Sequence, residues 1–127
     1  MNIAKSIKFN SDGLLSVIIQ DYKDNQVLML AYMNEEAFTL TVKTKKVHFF
    51  SRSRNKLWLK GEQSGNFQIV KSVYFDCDAD ALLIKVSQKG GACHEGYKSC
   101  FFRKITPEGT LKIVEKKVFD EKKVYKK

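Results

Sequence analysis

Leu14-Leu15-Ser16-Val17-Ile18-Ile19-Gln20, then Asp24-Asn25, then Val27-Leu28-Met29-Leu30-Ala31-Tyr32-Met33-Asn34, is the stretch on which the fold turns. The first run is apolar and β-branched, which suits a strand. Asp24-Asn25 is turn chemistry, so 27–33 reads as the hairpin partner of 14–20. Asn34 is a good helix N-cap, and Glu35 and Glu36 fall in the first turn, where the helix dipole favours acids. Phe38 and Val42 then share one face of a short helix ending near Lys45.

The remaining apolar runs continue the β pattern. Residues 47–50, 57–59, 67–75 and 82–86 read as strands, separated by the polar stretches 51–56 and 60–66. Residues 101–105 and 111–118 are candidates for two more. The expected class is therefore α+β: one β-rich domain with a single short helix in the N-terminal third. The expected core runs from about Gly13 to Ile105. Residues 1–105 are taken as the domain, and 106–127 as a basic C-terminal extension, either part of the same domain or solvated.

The chain has 127 residues, enough for one core without disulfide staples. Its three cysteines, Cys77, Cys93 and Cys100, are an odd number, and the N-terminus has no apolar signal region. These features argue for a cytoplasmic protein with free thiols. Apolar runs stop well short of the ~20 residues a membrane span needs. The net charge is +9, and 9 of the 23 basic residues lie in 103–127. Such a chain attracts polyanions, from nucleic acid to phosphorylated metabolites.

Three clusters could carry chemistry. In Asp76-Cys77-Asp78-Ala79-Asp80, three carboxylates repel one another unless a cation or solvent relieves them. Read as an extended segment, it turns the aspartates one way and Cys77 the other. Carboxylate oxygens suit magnesium or calcium, and a thiolate suits zinc. An EF-hand is excluded, because Ala81 and Ser87 stand where its glycine and glutamate belong. A solvated acidic turn is the plain alternative.

The second cluster, Ala92-Cys93-His94-Glu95-Gly96 to Ser99-Cys100, sets two thiols seven residues apart in a Gly-containing segment. With Cys77 the thiol count reaches three, the number of protein ligands at a catalytic zinc. His94 adjoins Cys93 and suits a base better than a ligand of the same ion. His48, inside an apolar run, reads as structural. The third cluster joins Arg52, Arg54, Trp58, Lys60 and Ser64: guanidinium and Gly-Ser backbone for phosphate, and an indole for stacking. The same residues suit a zinc-stabilised nucleic-acid-binding module or a structural zinc dimer, and they do not decide between them.

Taken in order, Val27 to Asn34, Phe50-Ser51-Arg52-Ser53-Arg54, Leu57-Trp58-Leu59-Lys60-Gly61-Glu62-Gln63-Ser64-Gly65-Asn66, Asp76 to Leu83, Ala92 to Gly96 and Ser99-Cys100-Phe101 resemble the phosphoribosyl-AMP cyclohydrolases of histidine biosynthesis. The likeness covers roughly residues 13–103; the basic extension lies outside it. It implies hydrolysis of the adenine ring of 1-(5-phosphoribosyl)-AMP between N1 and C6, giving ProFAR. It also implies an intertwined homodimer with one interchain zinc per subunit, and magnesium. By the family's motifs, Cys93 and Cys100 of one chain and Cys77 of the other hold zinc. Asp76, Asp78 and Asp80 hold magnesium. Beside these ligands, His94 is the candidate proton shuttle by its place next to Cys93, and Arg52, Arg54, Trp58, Lys60 and Ser64 are the candidates for substrate contact. The expected partners are a small molecule and a second copy of the chain, with neither nucleic acid nor membrane.

Overall fold

The computed structural model describes residues 3–125. A 3-10 turn, Ile3–Ser6, precedes β1 (Leu15–Asp21) and β2 (Val27–Met33). Then follow α1 (Glu35–Thr44), β3 (His48–Ser51), β4 (Lys56–Leu59), β5 (Gln68–Phe75) and β6 (Ala81–Gln88). The chain ends with β7 (Arg103–Ile105), β8 (Leu111–Ile113) and a short α2 (Glu121–Val124). The principal sheet has the order β2-β1-β6-β5. Its outer pairs are antiparallel, whereas β1 and β6 run parallel, Ser16 opposite Ala81 through Asp21 opposite Val86.

One face of this sheet is the core. Burial alternates along β1, with Leu15, Val17 and Ile19 turned inward, and Leu82, Ile84 and Val86 of β6 do the same. Ala37 and Phe38 of α1 and Phe49 of β3 close over them. The helix begins as its sequence requires: the Asn34 side chain accepts a bond from the Ala37 N–H at 2.8 Å. Such a cap contributes about 1 kcal/mol. Lys45 ends the helix in the left-handed region, its N–H bonded to the Thr41 carbonyl.

The structure departs from expectation in four places. Ala4 and Ile7 join the core, which therefore starts before Gly13. Residues 76–80 are a turn between β5 and β6, not an extended segment, and Ala79 takes φ 61° to close it. Of residues 111–118 only 111–113 are strand. The Val114 N–H bonds to the Phe102 carbonyl instead, and the Val118 and Phe119 N–H groups bond to the Gly96 carbonyl. The segment beyond 113 thus returns over the loop that follows β6, and it carries the second short helix. Among the described residues, no helix is long and apolar enough to cross a membrane.

Candidate active site

Two hairpins and one loop build the site. β3 pairs with β4, Phe49 opposite Trp58, and their rings pack at 5.2 Å. Phe49 is fully buried, so it fixes the indole from below. The turn at residues 52–55 lifts Arg52 and Arg54 to the tip. Beyond β4 the chain turns again at Gly61, whose φ is +97°. A Cβ there would stand 2.7 Å from the Phe67 backbone nitrogen, so the close approach requires glycine.

The loop after β6 carries the second cluster. Its own backbone bonds fold it: Ala92 N–H to the Lys98 carbonyl, Cys93 N–H to Tyr97, and Gly96 N–H to Cys93. Backbone and side-chain bonds pin it to the first hairpin. The Cys100 N–H donates to the Leu28 carbonyl at 2.7 Å, and Ser99 Oγ donates to the Val27 carbonyl at 2.8 Å. Lys98 Nζ lies 3.0 Å from Asp21 and 2.9 Å from Asp24. Tyr97 stacks on Phe102 with centroids 3.8 Å apart. These bonds gather Cys93 and Cys100. Cys93 is 3% exposed. The Cys100 thiol lies against it, and desolvation first, then the Cys93 thiol, push the Cys100 pKa up to about 12. Cys100 itself is exposed where it lines a cavity; paired soft donors suit zinc, whose binding would expel their protons.

Lys60 stands beside this pair. It is 6% exposed, and its Nζ donates to the Ala92 carbonyl at 2.6 Å. Desolvation lowers its pKa, opposed by the Cys100 and then the Cys93 thiols.

A cavity of about 490 Å³ opens next to them. Arg54, Trp58, Lys60, Ser64, His94 and Cys100 all line it. Arg52 does not. It lines a separate hollow on the other side of Trp58, with its guanidinium 4.0 Å from the centroid of the Tyr32 ring. His94 is exposed at the first cavity, whereas His48 points its Nδ1 at the Lys46 carbonyl, 2.8 Å away. Tyr125 also lines the first cavity, delivered by the returning C-terminal segment. No motif signalled it, because that segment lies outside all of them.

Asp76, Asp78 and Asp80 converge although their segment is a turn: their ligand oxygens lie within 4.8 Å of one another. The Asp76 carboxylate accepts from the Asp80 and Ala81 N–H groups. Desolvation raises its carboxyl, but those N–H bonds together with the bonds from the Asp80 and Asp78 carboxyl groups hold it below the usual range. Asp80 is pushed up to about 6 by its bonds to Asp78 and Asp76. Crowding of this kind holds either a proton or a cation, and the all-oxygen donor set suits magnesium.

Cys77 sits in the same turn, exposed and free. The turn lies at the β6 end next to Ser16, whereas Cys100 bonds near the far end of β1. Strand rise separates those ends by on the order of 20 Å. Among the described residues, the three cysteines of one chain do not form a ligand group.

The sequence pattern of the family described as phosphoribosyl-AMP cyclohydrolase matches residues 29–102. A histidine biosynthesis bifunctional protein HisIE of Thermoanaerobacter pseudethanolicus is 58% identical over 124 residues, 98% of this chain. The chain spans 57% of that protein's length. Phosphoribosyl-AMP cyclohydrolases of Chlorobaculum tepidum and Chlorobaculum parvum are 51% and 52% identical over 123 residues, 97% of this chain and 90% of each relative.

Proposed function

The chain belongs to the phosphoribosyl-AMP cyclohydrolase family, hydrolases of histidine biosynthesis, and from that premise we propose that it opens the purine ring of 1-(5-phosphoribosyl)-AMP at N1–C6 in a zinc- and magnesium-dependent reaction. The observation that carries this reading is one cavity lined by Trp58, Ser64, His94 and Cys100 together. It offers a stacking ring, a hydroxyl, a proton carrier and a soft ligand around one small-molecule volume.

In this reading Cys93 and Cys100 hold zinc with Cys77 of the partner subunit, and Asp76, Asp78 and Asp80 hold magnesium. Bound there, zinc supplies a water of pKa about 7, and magnesium supplies a cation for substrate oxygens. Trp58 stacks on the purine. His94 carries a proton to or from the opening ring. Arg54 and Ser64 bind one phosphate, and Arg52, across the indole, binds the other. Lys60 forms the inner wall. Residues 1–105 act as the cyclohydrolase domain, with 106–127 part of the same unit, in a cytoplasmic homodimer.

Two features support the dimer. A row of apolar side chains crosses the open face of the sheet: Leu30, Ile18, Leu83 and Tyr74 stand in register on four strands. Leu30 and Tyr74 are 48% and 50% exposed. The β7–β8 hairpin also leaves Ile105, Leu111 and Ile113 uncovered. Contiguous apolar surface of this kind marks an interaction site. A second copy would also complete the thiol set that one chain leaves apart.

The test is an ultraviolet assay of the purified chain with phosphoribosyl-AMP, before and after chelation, with metal content measured on the same sample. Product absorbance should rise, vanish on chelation, and return with about one zinc per chain. Bound zinc without turnover, magnesium present, would reject the reading.

Arg54 gives a separate expectation. A charge-assisted bond to phosphate is worth roughly 1.5–3 kcal/mol, so Arg54→Ala should raise KM about ten- to a hundred-fold. Steady-state kinetics check this, and an unchanged KM would free Arg54 from phosphate binding.

A further inference from the structure

Lys60 is a long cationic side chain in a place where cations are costly. It is 6% exposed, and of the three Nζ donors one has a hydrogen-bond acceptor among the described residues, the Ala92 carbonyl. No carboxylate pairs with it within ion-pair distance among those residues. The Trp58 ring lies 5.9 Å from Nζ, a weak partner for a desolvated charge. A buried ammonium persists only where an anion answers it. The thiols stand close by: Ala92, whose carbonyl Lys60 holds, precedes Cys93, and Lys60 and Cys100 line one cavity.

The charge count gives the reason for this arrangement. Three thiolates around one divalent zinc would leave a net charge of −1. One ammonium next to two of those sulfurs brings the local sum to zero. The same ammonium holds the carbonyl of the residue preceding Cys93, so it also fixes where that sulfur sits.

We infer that Lys60 is a positioning residue of the metal site, its buried charge neutralising the Cys93–Cys100 thiolate pair while its bond to Ala92 sets the Cys93 loop. This rests on the zinc reading above. It assigns Lys60 to the metal side of the cavity, where it tunes sulfur ligands.

The experiment uses the full-length chain loaded with zinc and titrated against a chromophoric chelator. Lys60→Gln keeps a donor for Ala92 and removes the charge; Lys60→Arg keeps the charge. Partners of metal ligands typically contribute ten- to a hundred-fold in metal affinity, so Lys60→Gln should weaken zinc by about that factor. Lys60→Arg should stay closer to the wild type. In cobalt-substituted protein, the thiolate-to-cobalt charge-transfer band of Lys60→Gln should move to longer wavelength, because sulfur electrons lose a neighbouring cation. A folding defect alone would not shift that band. Wild-type zinc affinity in Lys60→Gln, equal weakening in Lys60→Arg and Lys60→Gln, or an unmoved cobalt band would each overturn the inference. A wild-type chain that takes up no zinc on its cysteines would instead overturn the reading on which it rests.

Discussion

Chains carrying Cys77→Ser or Cys93→Ser should each be inactive alone, and co-expressed they should regain roughly a quarter of the wild-type rate through symmetric pairing. The expectation follows from where one chain puts its thiols. Cys77 is exposed in the β5–β6 turn, at the sheet end next to Ser16. Cys93 and Cys100 lie on the loop after β6, tied to Leu28 near the opposite end. If the three thiols share one zinc, as proposed above, a complete site draws on two chains. In a mixed dimer, one site takes Cys77 from the Cys93→Ser chain and Cys93 and Cys100 from the Cys77→Ser chain, so it is intact. The other site lacks both. Random assortment makes about half the dimers mixed, with one working site of two in each. Cys93→Ser with Cys100→Ser is the control. Both defects lie on the same half of the site, so no mixed dimer is whole and no activity should return. Turnover and zinc content per chain read the result, and circular dichroism confirms that each variant folds. Recovery in the control, or none in the first pair, would remove the interchain site.

The features legible in the sequence are those whose chemistry is local. Asn34 caps α1 through a side-chain bond three residues away, and the alternating inward face of β1 follows from apolar spacing along one strand. The Asp cluster was readable as a cluster because adjacency brings the carboxylates together, but its geometry was not. Strand alternation would have put the three on one face; instead, Asp76 accepts the Asp80 N–H and Ala79 turns left-handed, so a turn gathers them. The environment of Lys60 was illegible for a different reason. A lysine in a polar run before glycine signals exposure, and the carbonyl that buries it lies 32 residues further on. The parallel pairing of β1 with β6 is likewise non-local. Tyr125 reaches the cavity because a segment with no motif returns along the Gly96 carbonyl. Such contacts are products of packing, and short-range pattern does not encode them.

His94→Ala is expected to lower kcat by about 10²–10⁴, the range for a positioned proton carrier, while zinc content stays at the wild-type level. Its place argues for this. His94 follows the buried Cys93, but it stands exposed at the cavity that also holds Cys100, Trp58 and Ser64. Among the described residues, no hydrogen bond ties its ring, in contrast with His48, whose Nδ1 meets the Lys46 carbonyl. An imidazole free to turn at the mouth can exchange protons with solvent and present them inside. It is badly placed to bind the ion of Cys93, because adjacent side chains seldom reach one tetrahedral centre. The two roles therefore separate by measurement. A proton carrier, once removed, lowers kcat more than it moves KM, and added imidazole restores part of the rate. A ligand, once removed, takes the metal with it. Full turnover in His94→Ala would clear the residue of any part in the reaction, and parallel loss of zinc would assign it to the metal instead.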